Sequence, residues 1–431
     1  MANRSSGSVK DNSEVTDEII VMTSRVRAPI WIILAVLVVF MGAGALLAWR
    51  GLQAPPDKGT ICALARAGQF DRAQELMARY LRAFPEDDRA HLLMAQFAMD
   101  RPDAQPRLAL DHLGQIRTST RREAAVVRFS VGKAHYQLKR YDLAETCWFE
   151  ALELDPTVPE AGWALIDLLD FEARAEDAHR LGMQLFEVEP DPRDRVRLLL
   201  EMSRLDIDRV APGSVVQVFE PVWRQHPAYL PLALAVGLAL VHNSQSALGI
   251  EVLRDALQRH PDSAEAWDGW LTGLDEGYEP DLLKREFADL PQSLAADPRF
   301  AKHEGNVAQG VGDWPRAVTA YRRAHAFEPF NSVVLYRLRM ALRVADETAL
   351  LHNADQLLTV YRNAFDQLRP VYVEAFAIKT LGLEPRTELY HRLAGLREQM
   401  GRFDEARAWH RLVLRDAPDD ALSVAALERL K

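Results

Sequence analysis

AVVRFSVGKAHYQLKRYDLAETCWFEALELDPTV, residues 125–158, is the stretch that decides the fold. Its apolar and small residues recur at helical spacing in two blocks, with Gly132 in the first and Tyr141, Ala144, Trp148 and Ala151 in the second; Pro156 follows. The same residue types return at the same offsets in residues 298–331, as Gly305, Trp314, Ala317, Tyr321, Ala324 and Pro329. They return again in residues 387–420, as Ala394, Gly401, Phe403, Ala406, Val413 and Pro418. Each unit has a small residue at place 8, an aromatic at place 17, alanine at place 20 and proline at place 32. Proline spacing gives the same period: Pro156 to Pro190 and Pro227 to Pro261 are each 34 residues, and Pro261 to Pro329 is 68. A fixed period of this size is the signature of a stacked repeat, in which no unit buries its apolar face alone.

Those residues at that spacing resemble the tetratricopeptide repeat family, and the resemblance runs over about residues 54–431. It implies an all-α solenoid of two-helix hairpins. Gly312 and Gly401 fall at the hairpin turn, where a left-handed residue ends the first helix. The proline near each unit's end cannot extend the second helix. Tyr141, Trp314 and Phe403 are expected to fill the gaps between neighbouring helices. Residues 54–124 read as divergent hairpins, 125–263 as repeats and 264–331 as repeats with a degenerate first member. Residues 332–386 read as a divergent hairpin followed by an inserted helix at 366–386, because Pro329 to Pro418 is 89 residues, two periods plus 21. Residues 387–431 complete the array with a repeat and a capping helix, giving about ten hairpins.

Upstream, residues 30–49 read IWIILAVLVVFMGAGALLAW, without charge or proline. A helix of that length spans about 30 Å, the thickness of the hydrocarbon core of a bilayer. Trp31 and Trp49 stand at its ends, where indoles favour the membrane interface, and Arg27 and Arg50 close the run. Residues 29–50 are therefore expected to form a single-pass membrane anchor behind a disordered tail at 1–28. Arg25 and Arg27 on one side face Arg50, Lys58 and Arg66 on the other, so flanking charge does not set the orientation. The working topology places the array on the extracytoplasmic, periplasmic side.

Composition narrows the function. A net charge of −10 argues against a general nucleic-acid binder. Two cysteines, Cys62 and Cys147, supply neither a disulfide framework nor a zinc module, and are read as free thiols on separate helices. No phosphate-binding loop, nucleophile elbow or His-Glu-x-x-His stretch occurs; His303-Glu304 is followed by Val307 where a second ligand would stand. No cofactor, metal or catalytic residue is implied, and the chain reads as a non-enzyme.

What remains is the inner surface. In the family the resemblance points to, the first helix of each hairpin lines the concave face. At the corresponding places stand Phe129, Tyr136 and Trp163, then Arg299, Lys302 and Asn306. Lys302 and Asn306 match the first two residues of the family's carboxylate clamp, whose next asparagine is replaced here by Arg337. Two surfaces for protein or peptide partners follow: a basic cluster of Arg299, Lys302, Asn306 and Arg337, and an aromatic group of Phe129, Tyr136 and Trp163. The leading expectation is a membrane-tethered interaction scaffold. The alternatives are a peptide-carboxylate receptor built on Lys302, Asn306 and Arg337, and an enzyme with its site in the divergent segments 264–297 or 366–386.

Overall fold

The computed structural model describes residues 55–431 apart from 209 and 381–386. The expected membrane helix and the tail before it lie outside the described residues. Among the described residues, no helix is long and apolar enough to cross a membrane.

Every described element is helical. Hairpins follow one another as α1 (Lys58–Arg66) with α2 (Phe70–Ala83), α3 (Asp88–Asp100) with α4 (Pro106–Leu113), and α5 (Arg121–Gln137) with α6 (Tyr141–Leu154). Next come α7 (Pro159–Phe171) with α8 (Ala175–Val188), α9 (Pro192–Ile207) with α10 (Pro212–Trp223), and α11 (Leu230–His242) with α12 (Ser246–Arg259). The pair α13 (Ala264–Glu276) and α14 (Pro280–Ala288) precedes a 3-10 turn at Pro298–Phe300, and then α15 (Ala301–Gly310) pairs with α16 (Trp314–Phe327). The array ends with α17 (Ser332–Val344) and α18 (Thr348–Thr380), α19 (Thr387–Gln399) and α20 (Phe403–Asp416), and the cap α21 (Ala421–Arg429).

Local chemistry repeats with the period. Ser263, Asp297 and Asn331, each 34 residues apart, accept backbone N–H bonds at the start of a hairpin's first helix. Thr120 and Glu123 form a full capping box at α5. At the hairpin turns Gly68, Gly312 and Gly401 take φ of +76° to +77°, as expected for a left-handed helix terminus. Lys139, Ala173, Ser244, Tyr278 and Asp346 hold the same conformation at φ of +58° to +63°. The turn is therefore dictated by stacking and not by glycine. Within hairpins, place 8 meets place 24: a Cβ on Gly132 would lie 2.4 Å from the Trp148 indole, and one on Gly305 would lie 2.5 Å from the Tyr321 ring.

Two expectations are corrected. Trp148 and Tyr321, both buried, fill the intrahairpin gap; of the aromatics assigned that role, Tyr141 is buried but Phe403 is 40 % exposed. The extra sequence after residue 365 forms no separate helix, because α18 runs unbroken through 33 residues to Thr380, with Pro370 inside it. At 1.5 Å per residue α18 is about 50 Å long, more than twice the length of its partner α17.

That length changes the path of the array. α18 reaches back to α9, and α20 packs on α9 as well. One hydrophobic core accordingly includes residues from Tyr141 to Val252 together with residues from Ala364 to Val413. The solenoid folds back on its own middle.

Candidate partner-binding surface

The cations read as a binding cluster are each held by a carboxylate. Arg299 lies 2.9 Å from Glu265, and Lys302 lies 2.9 Å from Asp268. Both partners sit one 34-residue period earlier, so stacking places side chains of the same register side by side. Arg337 grips Asp275 with two bonds, at 3.1 and 2.5 Å. Asn306 accepts a hydrogen bond from the Tyr321 hydroxyl at 2.9 Å. Burial would raise the Asp268 carboxyl, but the His303 hydrogen bond and the Lys302 charge hold it well below the usual carboxylate range. A clamp needs open cations; here Arg299 and Lys302 are neutralised by acids one period back, and Arg337 by Asp275.

Lys302, Asn306 and Arg337 do line one cavity of about 490 Å3, whereas Arg299 lines a neighbouring one. The cavity lined by Lys302 also carries Arg402 and six carboxylates, Glu176, Asp206, Asp268, Asp275, Glu276 and Glu328. Its field is acidic and disfavours a peptide carboxylate.

Phe129, Tyr136 and Trp163 line neither cavity. Phe129 packs against the core, and its carbonyl accepts the Trp148 indole N–H at 3.1 Å. Tyr136, 39 % exposed, leans on the rings of Tyr141 and Trp148. Trp163 is covered by the Arg197 guanidinium, 4.1 Å from its ring centre. Only Tyr136 keeps substantial exposed ring surface.

The most charged buried cluster joins residues about 200 positions apart. Arg397, fully buried on α19, donates to Glu405 at 2.6 Å and to Asp206 at 2.7 Å. Arg402 makes two bonds to Glu176, at 2.6 and 2.7 Å, and a third to Asp206 at 3.0 Å, with its guanidinium 4.0 Å over the Phe330 ring. His179 on α8 stands 2.7 Å from Glu405 and 3.4 Å from Asp206. Burial pushes both carboxyls up, but the two guanidiniums and the imidazole prevail: Asp206 falls well below its ordinary value and Glu405 falls to about 2. The backbone joins in, since a Cβ on Gly401 would lie 2.6 Å from the Pro329 carbonyl carbon.

Beside this cluster opens a recess of about 780 Å3 between α8, the end of α16 and α20. Phe327, 46 % exposed, and Phe403 supply its apolar surface, with Met183 beside them. The ion pair of Arg411 with Glu187, at 2.7 Å, stands among its lining residues.

A second buried network ties the middle hairpins together. The Tyr229 hydroxyl lies 2.6 Å from Glu145 and 3.0 Å from Glu172, and Arg174 spans the same two carboxylates at 2.6 and 3.1 Å. Burial, and then the nearby Glu145 charge, push Glu172 up to about 7. Of the divergent segments 264–297 and 366–386, residues 264–288 form α13 with α14, residues 366–380 form the end of α18, and residues 381–386 lie outside the described residues. Among the described residues, no group of three or more His, Cys, Asp and Glu side chains is placed to hold a metal ion. Both thiols are free, with Cys147 buried.

No curated protein matches the chain. Among solved structures, MamA matches at 16 % identity, with 49 % of this chain and 98 % of that one covered and a TM-score of 0.24. The human IFIT1 dimer with PPP-AAAA matches at 14 % identity over 77 % of this chain and 91 % of that one, with a TM-score of 0.34. The APC/C hetero-tetramer Cut9–Hcn1 matches at 14 % identity over 86 % and 88 %, with a TM-score of 0.27. The family model of the tetratricopeptide repeat matches residues 60–105, which cover most of α1 to α3. Those residues are similar to the tetratricopeptide repeat, and most of the helical hairpins that follow them begin 33 to 38 residues apart.

Proposed function

We propose that the chain is a membrane-tethered scaffold that recruits partner proteins through its array, at a recess between the second helices α8, α16 and α20, with the array on the extracytoplasmic side. The observation that carries this reading is the recess beside α20, where Phe327 and Phe403 stay exposed while the charges around them are paired. Exposed aromatics inside a polar rim are the usual anchors of protein interfaces. The apolar 30–49 segment supports the tether, and the body's hairpin repeats suit a binding platform and not a catalytic pocket. The carboxylate-receptor reading is the weaker one, since Lys302 and Arg337 would have to leave Asp268 and Asp275.

A photo-crosslinking amino acid at Phe403 or Phe327, used in native membranes, tests the recess. Both positions are expected to capture the same partner, and a probe at Leu422, 72 % exposed on α21, is expected not to. Identical adducts at all three positions, or none at Phe403, would overturn the assignment. Labelling Cys62 with a membrane-impermeant maleimide in cells with an opened outer membrane tests sidedness; labelling only after lysis would reverse the topology.

A further inference from the structure

We propose that the C-terminal hairpin α19–α20 is a releasable latch that closes the array onto α8 and α9, and that a proton on His179 holds it shut. This contact between hairpins distant in sequence adds buried charge to a shared apolar core: Arg397, Glu405, Asp206, His179 and Arg402 are each at most 8 % exposed. A buried ionic contact is a poor source of net stability but a strict one: it forms only when every member is present in the right charge state. The hairpin follows the long α18, which itself packs on α9, so the hairpin leaves only by giving up its own share of the common core.

The geometry around His179 fixes its state. Nδ1 meets Glu405 at 2.7 Å and Nε2 faces Asp206 at 3.4 Å. A neutral imidazole donates from one nitrogen only, so its other lone pair would point at a carboxylate. The imidazolium carries an N–H on both: Nδ1–H donates to Glu405, and Nε2–H stands in ion-pair range of Asp206 without a well-directed hydrogen bond. The other charged groups at this contact are Arg397 from α19, Arg402 from the α19–α20 turn and Glu176 from the imidazole's own helix. With His179 protonated, three cations face the buried Asp206 and Glu405 and the half-exposed Glu176; without the proton, Arg397 and Arg402 alone face those three carboxylates, and the imidazole no longer offers an N–H to both buried ones. Burial opposes that proton, but the facing Glu405 and Asp206 outweigh burial and raise His179 above its ordinary value. Because the closed state raises the value, the proton's contribution to closure is fully present in mild acid and is lost as pH rises through the raised value. Release would bare the Glu176, His179 and Asp206 face of α8–α9 and open the recess beside α20.

The test uses the full chain in lipid nanodiscs, with spin labels at Arg180→Cys on α8 and Leu422→Cys on α21, in a Cys62→Ser background that leaves buried Cys147 in place. Double electron–electron resonance at pH 6 is expected to give one short distance. At pH 8.5 a longer population appears. His179→Gln removes that pH response and shows the longer population at both values. Asp206→Asn, which keeps the imidazole but removes one of its two carboxylates, moves the transition to lower pH. An unchanged distance between pH 6 and 8.5 in the otherwise native chain overturns the latch. A pH response that persists in His179→Gln overturns the assignment to His179.

Discussion

At the scale of single residues, the hairpin turns separate what the period demands from what the sequence supplies. Among the described residues, eight turns hold a left-handed residue, and only three of those are glycine. A side chain in that region costs on the order of 1 kcal/mol, and glycine there is free of it. Ala173→Gly is therefore expected to stabilise the chain by about 0.5 kcal/mol, after the greater freedom glycine gives the unfolded chain is set against the relief. Gly312→Ala should cost about 1 kcal/mol, since nothing crowds the added methyl. Gly401→Ala should cost clearly more, because its methyl also strikes the Pro329 backbone. Thermal melts followed by circular dichroism rank the three. A Gly401→Ala loss no larger than that of Gly312→Ala would show that the turn does not bear on the 329–330 backbone. The glycine turns were legible in the sequence; those at Lys139, Ala173 and Ser244 were not, because lysine, alanine and serine carry no turn signal of their own.

At the scale of elements, most of the hairpin register could be read from small residues at place 8 and prolines at place 32, since both act through contacts within one unit. The long α18 could not. Pro370 reads as a helix breaker, yet a proline inside a helix removes one backbone bond and is tolerated when packing on both sides holds the helix; Leu368 and Val371 are buried in the shared core. The buried carboxylate pair of Glu145 and Glu172 escaped notice for a related reason, since it is assembled from α6 and the α7–α8 turn and bridged by Tyr229 before α11. Its titration is testable. Glu172 is held at about 7, above its ordinary 4.5, so the fold favours its protonated form. That contribution is complete below pH 4.5 and is lost as pH rises through 7, a change of up to about 3 kcal/mol. Glu172→Gln, permanently uncharged, should match the parent chain at pH 5 and melt at a higher temperature than it at pH 8. A difference between the two chains that is constant from pH 5 to 8 would mean that Glu172 does not titrate in this range.

At the scale of the whole molecule, the array is not the open solenoid its period implies. A period records what each unit does to the next, and contacts between positions 176–206 and 397–405 leave no trace in it. The cations of the expected clamp failed for the converse reason: the period itself supplies Glu265 and Asp268 as their partners. Closure makes a prediction that an open array does not. Arg397→Ala leaves Asp206 and Glu405 buried with their shared guanidinium gone, and breaking a buried pair in this way costs about 3–5 kcal/mol. The loss should be local. Amide exchange is expected to accelerate in α19–α20 and in the facing surfaces of α8 and α9, while α1 to α4, which share none of that core, keep their protection. Removing charge from both sides at once, in Arg397→Met with Asp206→Asn and Glu405→Gln, should cost less than Arg397→Ala alone, because no unpaired ion is then left buried. If exchange in α1 to α4 rises together with that in α19–α20, the chain melts as one unit and closure is part of its folding. If it does not, the C-terminal hairpin is a separable element, and the array has an open form within a few kcal/mol of the closed one.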